Sequence, residues 1–182
     1  MNKPFNDEPV DVLVKKYLVK NGTVLDLRIK YIGDAGVEFL AKCPDLIDLE
    51  VLNLERNEIT DKGIQSLANS TIITNLKELY LARNDVGDAG AIAIANSANF
   101  SYLNFINFWK NKVGAEGAKA IASSTNLVKI LLWPIWTPSK VPIVSIDSFS
   151  DEYDWMLLNI FIHKIFSIMN IHSLINTIMN KW

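Results

Sequence analysis

The sequence predicts an α/β solenoid, with a parallel sheet on its concave side and helices on its convex side. Three observations predict it. Gly36, Gly63, Gly90 and Gly117 recur every 27 residues, a period at which one supersecondary unit stacks on the next. Apolar columns keep the same step: Leu25, Leu52, Leu79 and Ile106, then Leu27, Leu54, Leu81 and Phe108. Further columns follow in register: Ile32, Ile59, Val86 and Val113; Ala41, Ala68, Ala95 and Ala122; Asn57, Asn84 and Asn111.

Each element of the unit has its own local reason. Alternation in Leu79-Tyr80-Leu81 puts both leucines on one face and Tyr80 on the other, as in a half-buried strand. Gly33, Thr60, Gly87 and Gly114 are residue types suited to a helix N-cap. Asp34, Asp61 and Asp88 come next, where a carboxylate favours the positive end of the helix dipole. Ile64, Leu67 and Ala68 then give one buried helical stripe. The recurring glycine falls inside the helix start at a cost of about 1 kcal/mol relative to alanine. Its repetition points to a close approach of the neighbouring backbone.

The order Leu-x-x-Leu-x-Leu-x-x-Asn-x-Ile/Val, written out from Leu76 to Val86, resembles the leucine-rich repeat family. The helical second half, Ile59 to Ala68, is similar to the ribonuclease-inhibitor-like subclass. The resemblance covers residues 24–133. It implies a horseshoe segment in which Asn57, Asn84 and Asn111 form a ladder. Lys30 holds the equivalent position in the first unit, so the ladder is expected to start one repeat late.

Residues 1–23 read as an N-terminal cap: a helix from Asn6 to Lys20 with Val10, Leu13, Val14 and Tyr17 inward and Lys15, Lys16 and Lys20 outward. At the other end, Leu127-x-x-Ile130-x-Leu132 repeats the strand pattern three residues early, giving a fifth strand. Residues 134–150, with Pro134, Pro138, Pro142 and several serines, read as a linker. Residues 151–182 read as an apolar amphipathic C-terminal helix. From Trp155 to Met179, 16 of 25 residues are apolar and Lys164 is the single formal charge. Such a segment could cap the last repeat, contact a membrane or another copy of the chain, or come from a truncated or frame-shifted longer repeat gene. These readings stay open, although a spanning helix is disfavoured by Lys164, two histidines and three asparagines.

A net charge of -2 gives no general attraction to nucleic acid. Met1 to Glu8 lacks the apolar core of a signal peptide. A single cysteine, Cys43, allows no internal disulfide. Both fit a cytoplasmic setting, which an effector exported by a non-classical route would share. Cys43 follows a helix stripe and reads as a small core residue.

No catalytic chemistry stands out, and no cofactor or metal is expected. His163 and His172 are nine residues apart, which puts them on opposite sides of a helix. Cys43 has no histidine in the repeats to act as its base. The glycines keep a structural period rather than a phosphate-loop spacing.

A surface remains. The residues between the core leucines project from the concave sheet in columns. Asp26, Asn53, Tyr80 and Asn107 form one, continued by Leu131. Arg28, Glu55, Ala82 and Trp109 form the next, continued by Trp133, and Ile29, Arg56, Arg83 and Lys110 form the third. Asn53, Arg56, Tyr80, Arg83, Asn107, Trp109 and Lys110 are the candidate partner-binding residues. Tyr80, Arg83, Trp109 and Lys110 form the focus, facing an acidic or mixed partner. The bland alternative is a solvated face on a scaffold that binds elsewhere. Fewer than about 20 residues project from it, below the 20–30 of a standard interface side.

The expectation is a non-catalytic protein-interaction module. Two rivals are a GTPase activator, since Ran GTPase-activating proteins resemble this repeat subclass, and a membrane-associated repeat protein held by residues 151–182.

Overall fold

The computed structural model describes residues 8–127 and 131–133. The expected linker and C-terminal helix lie outside the described residues. Among them runs one sheet in the order β1 (Leu18–Val19), β2 (Val24–Asp26), β3 (Val51–Asn53), β4 (Glu78–Tyr80), β5 (Phe105–Asn107) and β6 (Leu131–Trp133). β2 to β6 are parallel, and each pairs with the strand of the next unit. The helices are α1 (Val10–Tyr17), α2 (Gly33–Leu40), α3 (Asp61–Ala68), α4 (Asp88–Asn96) and α5 (Ala115–Ser123). α2 to α5 pack each against the next.

The core lies between the two layers. Leu25, Leu52 and Leu79 point into it from the strands and are fully buried, as are Ile64, Leu67 and Ile94 from the helices. The chain returning from helix to strand adds a column at the same step, Leu46, Ile73, Phe100 and Leu127, all fully buried. Removing such side chains from water stabilises by roughly 1.5–3 kcal/mol each. That burial holds the layers together, while hydrogen bonds set their register.

Three ladders of side chains cross the repeat boundaries. In the first, Asn84 Oδ1 accepts the N–H groups of Asn57 at 2.9 Å and Ile59 at 3.1 Å. Its amide donates to Leu54 O at 2.9 Å and Leu81 O at 2.8 Å. Asn57 and Asn111 repeat this one unit to either side. In the second, Ser70, Ser97 and Ser124 donate to the carbonyls of Ala41, Ala68 and Ala95, at the end of the preceding helix. Cys43 holds the serine position in the first unit.

The third ladder corrects the role expected for the aspartates. Asp34 Oδ1 accepts the N–H of Thr60 at 2.8 Å and of Gly63 at 3.0 Å, so it caps the helix of the next unit rather than its own. Asp61 does the same for Gly87 and Gly90, and Asp88 for Gly114 and Gly117. The orphan N–H groups of a helix start thus find an anionic acceptor one unit away.

The glycine column has its reason here as well. A Cβ on Gly63 would lie 2.5 Å from Asp34 Oδ1, and one on Gly90 2.7 Å from Asp61 Oδ1. The carboxylate and a side chain of the same unit (Val86 Cγ1 at 2.6 Å for Gly90, Ile59 Cγ2 at 3.0 Å for Gly63) come closer than neighbouring backbone, at 3.3 Å for Gly63. Gly33 also departs from the expected N-cap series. Its φ is +59°, and the residue preceding α2 is Ile32.

Both ends differ from expectation. The N-terminal helix covers Val10–Tyr17, not Asn6 to Lys20. Lys20, Asn21 and Gly22 take positive φ and turn the chain, so Leu18–Val19 pairs antiparallel with Val24 and Leu25. Asn-Gly is the turn signal for such a hairpin. Lys30, lacking an earlier unit to bond, instead donates to Tyr17 Oη at 2.9 Å and ties the cap to the stack. At the far end, β6 arrives one residue early rather than three, since Leu132 pairs with Ile106 and Leu127 keeps its core position.

Replacing Asn84 with alanine leaves two buried N–H groups and a carbonyl without their partner. We expect a loss of about 3 kcal/mol, read as a lower urea midpoint. Gly90→Ala offers the sharper contrast. Helix propensity alone favours alanine by about 1 kcal/mol, yet its methyl would meet Asp61 and Val86 Cγ1 at 2.7 and 2.6 Å. The midpoint should fall, not rise.

Candidate protein-binding face

The sheet turns its other face away from the helices, and the strands place residues on it in two columns. Asp26, Asn53, Tyr80 and Asn107 are partners in register, and so are Val24, Val51, Glu78 and Phe105. All eight are partly buried. The second column was missed in the sequence, although alternation two residues before Tyr80 marks it. The register of β6 puts Trp133 beside Asn107, correcting its expected place after Trp109, and moves Leu131 beside Phe105.

Beyond each strand the chain turns sharply. Ile29, Arg56, Arg83 and Lys110 all take left-handed backbone, with φ of 58°, 56°, 57° and 54°. That conformation costs an ordinary L-residue about 1–2 kcal/mol. The following asparagine holds the turn, as where Asn57 Nδ2 donates to Glu55 O at 3.1 Å. Asn53 and Asn107, candidates for partner contact, also hold turns: their Oδ1 atoms accept the N–H groups of Glu55 at 3.1 Å and Trp109 at 2.9 Å.

Three of the four focal residues come together. The Arg83 guanidinium lies 4.8 Å from the centre of the Trp109 ring and Lys110 Nζ 4.7 Å from it. Each cation–π contact contributes about 0.5–1 kcal/mol at an exposed site, and Trp109 is 45% exposed. Arg83 Nε also stands 4.0 Å from Glu55 Oε1. Arg56 is exposed in the same column. Ala82, by contrast, is buried and offers nothing to a partner.

Tyr80 joins a different group. Its ring is 4.8 Å from that of Phe105, tilted by 41°, and its hydroxyl donates to Glu78 Oε2 at 2.7 Å. Burial, reinforced by the Glu78 carboxylate, pushes the phenol up to about 12. At the N-terminal end, Arg28 and Asp26 pair at 2.8 Å.

Among the described residues, no group of three His, Cys, Asp or Glu side chains is placed to hold a metal. Nor is any helix there long and apolar enough to cross a membrane.

A stack of strand–turn–helix units wired by an asparagine ladder defines a repeat protein. A family model described as Leucine Rich repeat matches residues 47–68 and 73–95. Each match spans one strand, its asparagine and the helix after it, which supports a leucine-rich repeat protein. Proteins of that kind typically mediate protein–protein interaction. No curated protein matches the chain.

The Tyr80 environment has a measurable consequence. In the folded chain the phenol keeps its proton to about pH 12, whereas an unfolded tyrosine releases it near pH 10. Between those values the folded state binds more protons, so stability present below pH 10 is lost as pH rises through the window. Tyr80→Phe should flatten that decline in the urea midpoint, compared with the unaltered chain.

Proposed function

We propose that the chain is a non-catalytic protein-interaction module whose partner lies on the concave face of a short leucine-rich repeat horseshoe, of the ribonuclease-inhibitor-like subclass. The observation that carries the reading is the Arg83, Trp109 and Lys110 cluster. Tryptophan and arginine are the side chains most enriched in binding hot spots, and here each holds the other in place. A parallel sheet fixes their spacing before the partner arrives, so little ordering entropy is lost on binding. The helix in every unit and the 27-residue step support the subclass. Single, buried Cys43 fits a reducing compartment.

Exchange of Trp109 and Arg83 for alanine tests the reading. Both lie on the face rather than in the core, so the urea midpoint should move by no more than the two lost cation–π contacts, about 1–2 kcal/mol equivalent. Proteins retained by the immobilised full chain should be lost from the double variant. Retention unchanged at equal stability would remove the face from consideration.

A further inference from the structure

The column Arg56, Arg83 and Lys110 gathers positive charge that neighbouring carboxylates do little to offset. Parallel strands lie about 4.8 Å apart, so the three residues follow one another closely across the repeats. All three take left-handed backbone, where glycine, asparagine and aspartate are the cheaper residues. An asparagine there would also be neutral. The chain places three cations instead, and like charges at this spacing repel.

Nearby carboxylates are engaged elsewhere. Glu55 approaches Arg83 no closer than 4.0 Å. Asp26 holds Arg28 at 2.8 Å, Asp85 holds Lys112 at 2.7 Å, and Glu78 takes the Tyr80 hydroxyl. Arg56 and Lys110 have no carboxylate partner among the described residues. Trp109 meanwhile holds Arg83 and Lys110 beside one ring.

We infer that the face takes an acidic peptide segment, with carboxylates spanning Arg56, Arg83 and Lys110 and an apolar side chain beside the Tyr80 and Phe105 rings. This rests on the proposal that the partner sits on this face. Extent favours a segment over a folded domain, because a standard interface engages about 20–30 residues on each side. The number of cations favours a peptide over nucleic acid. Three in one short column suit a few carboxylates, whereas a phosphate backbone carries a charge at every nucleotide.

The test uses the full chain and a fluorescein-labelled peptide of alternating glutamate and serine, followed by anisotropy. Its controls are the same peptide with glutamine for glutamate and an oligothymidylate of equal charge. The glutamate peptide should bind, weaken with added salt, and bind at least about tenfold less well to the Arg83→Gln, Lys110→Gln variant. Lys62→Gln with Lys119→Gln, on the helical side, should leave binding unchanged. Equal binding of the glutamine peptide, or tighter binding of the oligothymidylate, overturns the inference. Absence of glutamate-peptide binding also overturns it; if the Trp109 and Arg83 alanine pair still abolishes partner retention, the face stands and only its charge preference is wrong. Binding lost through Lys62 and Lys119, but not through Arg83 and Lys110, rejects both.

Discussion

Everything in this stack depends on backbone groups that cannot be satisfied within their own repeat. A strand of three residues, a left-handed turn and a helix of eight or nine leave N–H and C=O groups at every junction. Packing the units side by side removes water from those groups, and an unpaired buried polar group costs about 1–3 kcal/mol. The solution is directional. Asparagine and serine reach back to the preceding unit, and aspartate reaches forward to the next. Among the described residues no buried side-chain nitrogen or oxygen lacks a partner. Hydrophobic burial is non-directional and would tolerate sliding; the ladders are what tie one unit to the next in a single register.

Much of this was legible in the sequence because a fixed period turns one local observation into four. The strand columns and the helical stripe follow from the 27-residue step, and the asparagine ladder from the resemblance to leucine-rich repeats. What escaped was the direction of the aspartates. Asp34, Asp61 and Asp88 sit at helix starts, and periodicity cannot distinguish a carboxylate serving its own helix from one serving its neighbour. The serine column keeps the same step but starts with Cys43, and a hydroxyl's acceptor one unit back is not visible in the spacing. The hairpin after α1 was hidden by the helical pattern running into it, although Asn21-Gly22 marks the turn. On the face, the sequence placed Arg83, Trp109 and Lys110 in adjacent columns, but their contacts depend on rotamers that no spacing specifies.

The same turns that need the asparagines create the face. In every unit one left-handed residue (Ile29, Arg56, Arg83 or Lys110) sits immediately before the ladder asparagine or, in the first unit, its lysine replacement. Its strain is therefore borne by a network that would exist in any repeat of this kind. That frees the side chain there from structural duty, whereas Asn53 and Asn107 spend an oxygen on the turn itself. A column with no task in folding can vary without cost to the stack, and here it holds Ile29, Arg56, Arg83 and Lys110. The shift from an apolar residue to three cations makes the face asymmetric along the stack. Any partner reading charge would meet it chiefly at the later repeats.

The directions of the ladders also account for where each fails. Asparagine and serine reach backward, so in the first leucine-rich unit they would find no earlier repeat. Lys30 and Cys43 stand there instead. Lys30 turns to Tyr17 of the cap, and Cys43, which packs in the core, needs no acceptor of its own. Aspartate reaches forward, and its column runs through Asp34, Asp61 and Asp88. Position 115 is alanine. Asn111 and Ser124, which reach back, are both retained in that same unit. Among the described units, then, the backward rungs are missing from the first and the forward rung from the last. Each of these side chains bonds a neighbouring unit rather than its own, so its place in the stack decides whether it has a partner.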